Sequence, residues 1–312
     1  MSTTAPTERG PTDFDLDAFL SSAGAQVEAA LAAVAGDLPL SVPSALRDPL
    51  LYALQTRGKR LRPILCVAAY TAVQCDAPGD TLYRLACAIE VVHTYSLVHD
   101  DLPCMDDDDL RRGRPTVHRV YGVPLAVTAG ASLLPMAVRM LNAESAALGL
   151  NVAERARLVM ELCRAAGAEG MVGGQLLDLE GEESPADGVG LETIHRAKTG
   201  ALLAAALRIG AMAGRASEPR IAALTAYGEA LGLAFQIADD ILDVTADSAV
   251  LGKTAGKDEA VGKSTYPALY GLDGARALAR QRSREAVLAL KQGGIRSPAL
   301  EALAGFVVER RR

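Results

Sequence analysis

The stretch His99 to Thr116, HDDLPCMDDDDLRRGRPT, constrains this chain more than any other. Six aspartates (Asp100, Asp101, Asp106, Asp107, Asp108 and Asp109) run directly into three arginines (Arg111, Arg112 and Arg114). Crowded carboxylates repel one another unless water or divalent cations screen them. Their hard oxygens suit Mg²⁺, which keeps several waters and commonly shares its shell with substrate phosphates. Arginine forks match phosphate oxygens two at a time. Most charge runs are merely solvated surface, so a second acidic feature is needed to argue for a site.

The stretch FQIADDILD supplies one, placing Asp239, Asp240 and Asp243 inside an otherwise apolar, helical pattern. At about 100° per residue, Asp239 and Asp243 fall roughly 40° apart on one face, with Gln236 on the same stripe. Carboxylates on the apolar side of a helix are costly unless paired or metal-bound. Two such clusters, with arginines beside the first, read as a diphosphate site.

Two further motifs flank the acidic ones: GKRLRP (Gly58 to Pro63) upstream and GKSTYP (Gly262 to Pro267) downstream. Three cations in four residues at a helix junction usually cap a helix end. Together with the paired aspartates, however, this sequence resembles the trans-isoprenyl diphosphate synthases, in particular the bacterial farnesyl diphosphate synthase (geranyltranstransferase) group. The resemblance runs from about Gly58 to the C-terminus, with the motifs in family order and spacing.

That resemblance implies an all-α fold: a single-domain antiparallel helical bundle around a deep central cavity. It would span residues 15–312, behind a disordered tail of residues 1–14. It implies Mg²⁺ as cofactor, as three ions with Mn²⁺ able to substitute, held by Asp100, Asp106 and Asp239, with Asp101, Asp240 and Asp243 in support. Lys59, Arg62, His93 and Arg112 would bind isopentenyl diphosphate, and Arg111 the allylic diphosphate. Lys253 and Lys263 would also hold diphosphate. Gln175 and Asp178, three residues apart on one helical face, would point to the cavity in supporting roles. Lys198 and Thr199 interrupt a strongly apolar run, and a buried Lys needs an anionic partner, which a bound diphosphate would supply. The side-chain or backbone oxygens of Lys198, Thr199 and Gln236 would steady an allylic cation as dipoles. A homodimer is implied as well.

Composition sets limits on the alternatives. A net charge of −6 argues against nucleic acid, whose backbone calls for a basic face. Half of the 312 residues are hydrophobic, with no Trp and only 4% aromatics, which suits close-packed helices. No run of uncharged apolar residues reaches membrane-spanning length, and the N-terminus reads as neither signal nor transit peptide. The expectation is a soluble, cytoplasmic protein whose five cysteines are reduced core residues.

Pro103 follows the first aspartate pair closely and should end its helix. A straight helix would put Asp106 about 240° from Asp100, so a turn at Leu102 to Met105 has to bring it back. In the helix after Gly122, Ala131 stands where the family has an acidic residue, and Pro135 predicts a kink. His99 and His118 match no family ligand and read as structural. The C-terminal Arg310, Arg311 and Arg312 resemble a tail that closes over isopentenyl diphosphate.

Product length should be set beneath Asp100, where Ser96 lies one turn below and Tyr95 slightly deeper; one turn is about 5.4 Å, comparable to an isoprene unit. A bulky Tyr95 points to farnesyl diphosphate, with geranylgeranyl diphosphate as the competing product. A terpene cyclase or a non-catalytic partner subunit fits less well, because no aspartate or arginine of the motifs is missing.

Overall fold

The computed structural model describes residues 14–183, 187–245 and 264–309. Within them the apolar periodicity resolves into thirteen α-helices, one π-helical turn and a two-stranded hairpin. Helix α1 (Leu16–Gly36) starts at Asp15, whose carboxylate accepts from the Ala18 amide, and buries a stripe of Ala23, Val27, Leu31 and Val34. Short α2 (Ser44–Leu54) leads through GKRLRP into α3 (Leu61–Gln74), and α4 (Asp80–Asp100) carries the first aspartates. Strands β1 (Leu110–Arg111) and β2 (Arg114–Pro115) pair antiparallel, with α5 (Val117–Tyr121) after them.

Helix α6 (Val123–Ala147) packs along α4, and α7 (Val152–Ala166) opens on a capping box between Asn151 and Glu154. Next come α8 (Met171–Glu183), α9 (Gly188–His195), the π turn Arg196–Gly200 and α10 (Ala201–Ala213). Helix α11 (Glu218–Thr245) carries the second aspartate cluster and packs against α12 (Tyr266–Gln292) and α10; α13 (Pro298–Glu309) closes the chain. The largest buried cluster joins α1, α3, α4, α6, α10 and α11 in one core. Each Leu or Ile fully buried there contributes about 1.5–3 kcal/mol.

Three sequence expectations need adjusting. Pro135 does not break α6, which runs continuously past it. The residue lies on an exposed face, where water can meet the carbonyl its missing N–H leaves unpaired. Of the five cysteines, Cys66 and Cys87 are buried but Cys75, Cys104 and Cys163 are exposed; all are free thiols. Helices α1, α6 and α11 are long and apolar enough to cross a membrane by length and composition alone. In the fold they pack as members of the bundle.

Candidate active site

A cavity of about 1510 Å³ runs down the middle of the bundle. It is lined by α4 (His93, Tyr95, Ser96, Asp100), the Arg57–Arg62 segment, α8 (Gln175, Leu176, Leu179), the π turn (Lys198, Thr199) and α11 (Phe235, Gln236, Asp239). Asp100 and Asp239, from distant parts of the sequence, thus face one space.

The loop after α4 explains how the long aspartate spacing works. Asp101 closes the helix, and Pro103 prevents it from continuing. The chain then folds back: the Asp106 amide donates to the Asp100 carbonyl at 2.8 Å, and the Asp107 amide to Leu102 at 3.2 Å. The main chain therefore returns Asp106 beside Asp100, as the spacing argument required, although Asp106 is not among the residues lining the cavity. Burial, reinforced by Asp106 and Asp101, pushes the Asp100 carboxyl up to about 7 despite Lys198 nearby. Neighbouring carboxylates that raise one another's proton affinity suit a divalent cation. Among the described residues no three acidic, His or Cys side chains could hold an ion alone, so any ion would draw ligands from a bound diphosphate and water, as Mg²⁺ commonly does.

The other aspartates have different surroundings. Asp101 is buried and accepts from Arg111 Nε at 2.8 Å, with Arg111 Nη2 also bridging it to Asp108. Arg111 consequently stands behind the large cavity rather than lining it. Asp240, expected near the chemistry, instead accepts from the Tyr266 backbone amide at 2.9 Å and lies 3.8 Å from His195 Nε2. It fixes the start of α12. Asp243 is buried one turn beyond Asp239 and does not line the cavity.

A basic corner faces these acids. Arg60, in the left-handed conformation at φ 50°, turns inward and pairs with Glu90 and Glu28 at 2.8 Å each. Its neighbours Lys59 and Arg62 line the cavity. Arg62 Nε is buried without a hydrogen-bond partner among the described residues, and burial, with Arg112 adding to it, lowers its affinity for a proton. His93 is held well below the usual histidine range by burial and then by Arg62, Arg112, Arg60 and Arg111. A neutral imidazole among guanidinium groups marks an excess of positive charge that a bound anion would relieve.

Arg112 reaches this corner from the hairpin. Its Nη1 donates to the Arg57 carbonyl at 2.6 Å, and a Cβ at Gly58 would come within 2.2 Å of the same nitrogen. The glycine of GKRLRP is needed for that close approach. Tyr52 braces the hairpin by donating to the Pro115 carbonyl at 2.7 Å, while Arg114 lies 4.2 Å over its ring.

Lys198, expected to need an anion, has one: its Nζ donates to Asp178 Oδ2 at 2.6 Å. Gln175 is buried beside the cavity with neither amide atom paired among the described residues. Glu90 was not singled out from the sequence, although a lone carboxylate in the apolar middle of α4 carries the same warning as Lys198. His118 is a buried residue whose Nδ1 meets Thr116 Oγ1 at 3.1 Å. Lys253 and Lys263, together with Arg310, Arg311 and Arg312, lie outside the described residues.

The cavity thus sets Asp100 and Asp239 at one side and Lys59, Arg62 and Arg112 at the other, with apolar walls at Leu176, Leu179 and Phe235. Comparison with known proteins agrees. The polyprenyl synthetase family model matches residues 43–293. The chain is 46% identical over 277 residues to geranylgeranyl pyrophosphate synthase 9, chloroplastic, of Arabidopsis thaliana, covering 88% of this chain and 75% of that one. It is 45% identical over 271 residues to farnesyl diphosphate synthase of Escherichia coli, covering 85% and 89%. Among solved structures, geranyltransferase from Legionella pneumophila superposes with a TM-score of 0.82 at 31% identity, over 95% of this chain and 97% of that one. An FPP/GFPP synthase from Zymomonas mobilis gives 0.79 at 34% identity, over 94% and 98%. On its motifs, its helical architecture and these likenesses, the chain belongs to the polyprenyl synthetase family and is a prenyltransferase.

Proposed function

We propose that this prenyltransferase condenses isopentenyl diphosphate with dimethylallyl and then geranyl diphosphate, and stops at farnesyl diphosphate. The observation that carries the reading is one cavity with Asp100 and Asp239 on its acidic side and Lys59, Arg62 and Arg112 on its basic side. Asp100, Asp106 and Asp239 are the residues that would hold Mg²⁺, which when bound neutralises charge on the departing diphosphate.

The side chains have complementary tasks. Arg62, Lys59 and Arg112 hold the isopentenyl diphosphate, and His93, kept neutral, contributes a hydrogen bond without adding charge. The allylic carbon–oxygen bond breaks, the isopentenyl double bond attacks the resulting cation, and a proton is lost, with diphosphate as the base. The side-chain oxygens of Gln236 and Thr199 and the backbone carbonyl of Lys198 present negative dipole ends to the positive carbon centre, which is preorganised electrostatic stabilisation. The apolar walls at Leu176, Leu179 and Phe235 exclude water that would otherwise trap the cation.

Tyr95 on the cavity wall supports a farnesyl product. The competing geranylgeranyl reading rests on the cavity continuing to Leu176 and Leu179, and on the product named for the Arabidopsis relative. Incubating the protein with isopentenyl diphosphate and each allylic starter, with and without Mg²⁺, and sizing the dephosphorylated alcohols tests the reading. Farnesol as the main alcohol, formed only with the metal, is expected; a C20 majority would favour the second product. Tyr95→Ala should lengthen the product, and an unchanged chromatogram would remove Tyr95 from this role. The exposed stripe Val123, Val127, Ala131 and Pro135 on α6 is the face we assign to a homodimer contact.

A further inference from the structure

Tyr95 packs against the main hydrophobic core but has no polar anchor for its ring. Among the described residues it makes no hydrogen bond, and the aromatic contact it has is with His99, one turn along α4: ring centroids 4.7 Å apart, planes inclined at 62°. Helical side chains lean toward the N-terminus, so the imidazole presses down on the phenol from above. With no hydrogen bond, its χ1 is set by packing alone.

His99, by contrast, is held from two sides by α6. Its Nε2 lies 3.2 Å from the Val127 carbonyl; a carbonyl can only accept, so that nitrogen carries the proton. The ring also fills a notch at Gly130, where a Cβ would come within 2.3 Å of both Cδ2 and Nε2. No larger residue fits at 130 unless the imidazole moves. Tyr95, His99 and Val127 all line the cavity.

We propose that His99 is a positioning residue for product length: seated against Gly130 and Val127, its ring fixes Tyr95 in the orientation that stops chain growth. The inference rests on Tyr95 acting as the chain-length residue. The length stop is then a stack spanning two helices, α4 supplying both rings and α6 the seat.

The test compares His99→Ala, His99→Leu, Tyr95→Ala and the His99→Ala/Tyr95→Ala pair, reading product length and the rate of the first condensation. His99→Leu fills the notch without an aromatic edge or a donor, so it remains informative if the alanine variant does not fold. Both single His99 variants should raise the share of product longer than C15 by about tenfold, the low end of what apolar pocket walls discriminate. The first condensation should stay within severalfold of the parent. The pair should give the same lengths as Tyr95→Ala alone, because residues acting through one another are not additive. A loss of stability would lower total turnover without changing the ratio of lengths. Parental lengths from His99→Leu beside longer ones from Tyr95→Ala would overturn the proposal, as would additive effects in the pair. Parental lengths from Tyr95→Ala would sink the underlying reading, which the parent's own product profile tests separately.

Discussion

Replacing Asp239 with asparagine should lower kcat by about 10³-fold, the loss that follows removal of one preorganised electrostatic group from a dry site. The amide keeps the shape of the carboxylate, so the fold should be retained and helical circular dichroism should match the parent. Thermal melts give a second readout. Mg²⁺ with inorganic diphosphate should raise the parent's Tm, since a ligand bound by the folded state alone stabilises it by mass action. The Asp239→Asn variant should lose most of that increment. Asp240→Asn provides the contrast: its carboxylate accepts from the Tyr266 amide rather than facing the cavity. It should lower Tm without ligand while leaving the metal increment in place. Equal kcat losses with equal loss of the increment in both variants would contradict this division of roles.

Arg60→Met should destabilise the protein by about 3 kcal/mol, because it takes from buried Glu90 its hydrogen-bonded counter-charge and leaves only the unbonded influence of Arg62 and Arg112. Both partners of that pair are about 3% exposed, whereas Glu28, the second partner, is 45% exposed and contributes less. The Tm should fall on the order of 10 °C. Adding Glu90→Gln should restore much of the loss, since the variant then buries an amide instead of an orphaned charge. Arg60 also sits between Lys59 and Arg62, so the single variant should raise the KM for isopentenyl diphosphate more than that for the allylic partner. A Tm unchanged by Arg60→Met would show that the buried pair does not anchor this corner.

The sequence disclosed the two acidic clusters because aspartates within an apolar helix are expensive and therefore conspicuous. It also required the chain to turn back at Leu102 to Met105, since Pro103 and the helical angle left no other way to bring Asp106 beside Asp100. What it did not disclose were pairings between elements. Periodicity places Asp178 and Lys198 on their own helices but says nothing of the 2.6 Å between them, and it cannot tell that Asp101 and Asp108 occupy Arg111. Asp240 illustrates the same limit. One position from Asp239, it points about 100° away, and only the packing of α12 decides what it meets. His99 read as structural because its partner at Gly130 lies on another helix, and a glycine carries no visible signal of what rests against it.

The π turn at Arg196–Gly200 has a consequence for how this chain tolerates changes in length. Such a turn takes one more residue per hydrogen-bonded ring than the α-helices on either side. Lys198 and Thr199, both within it, line the cavity. Deleting a single residue there would let ordinary winding resume, and the helix would look better formed than before. It would also swing α9 by about 100° relative to α10, exchanging the side chains that meet α8 and α11. A one-residue deletion in this apolar stretch should therefore be far more damaging than any single substitution within it.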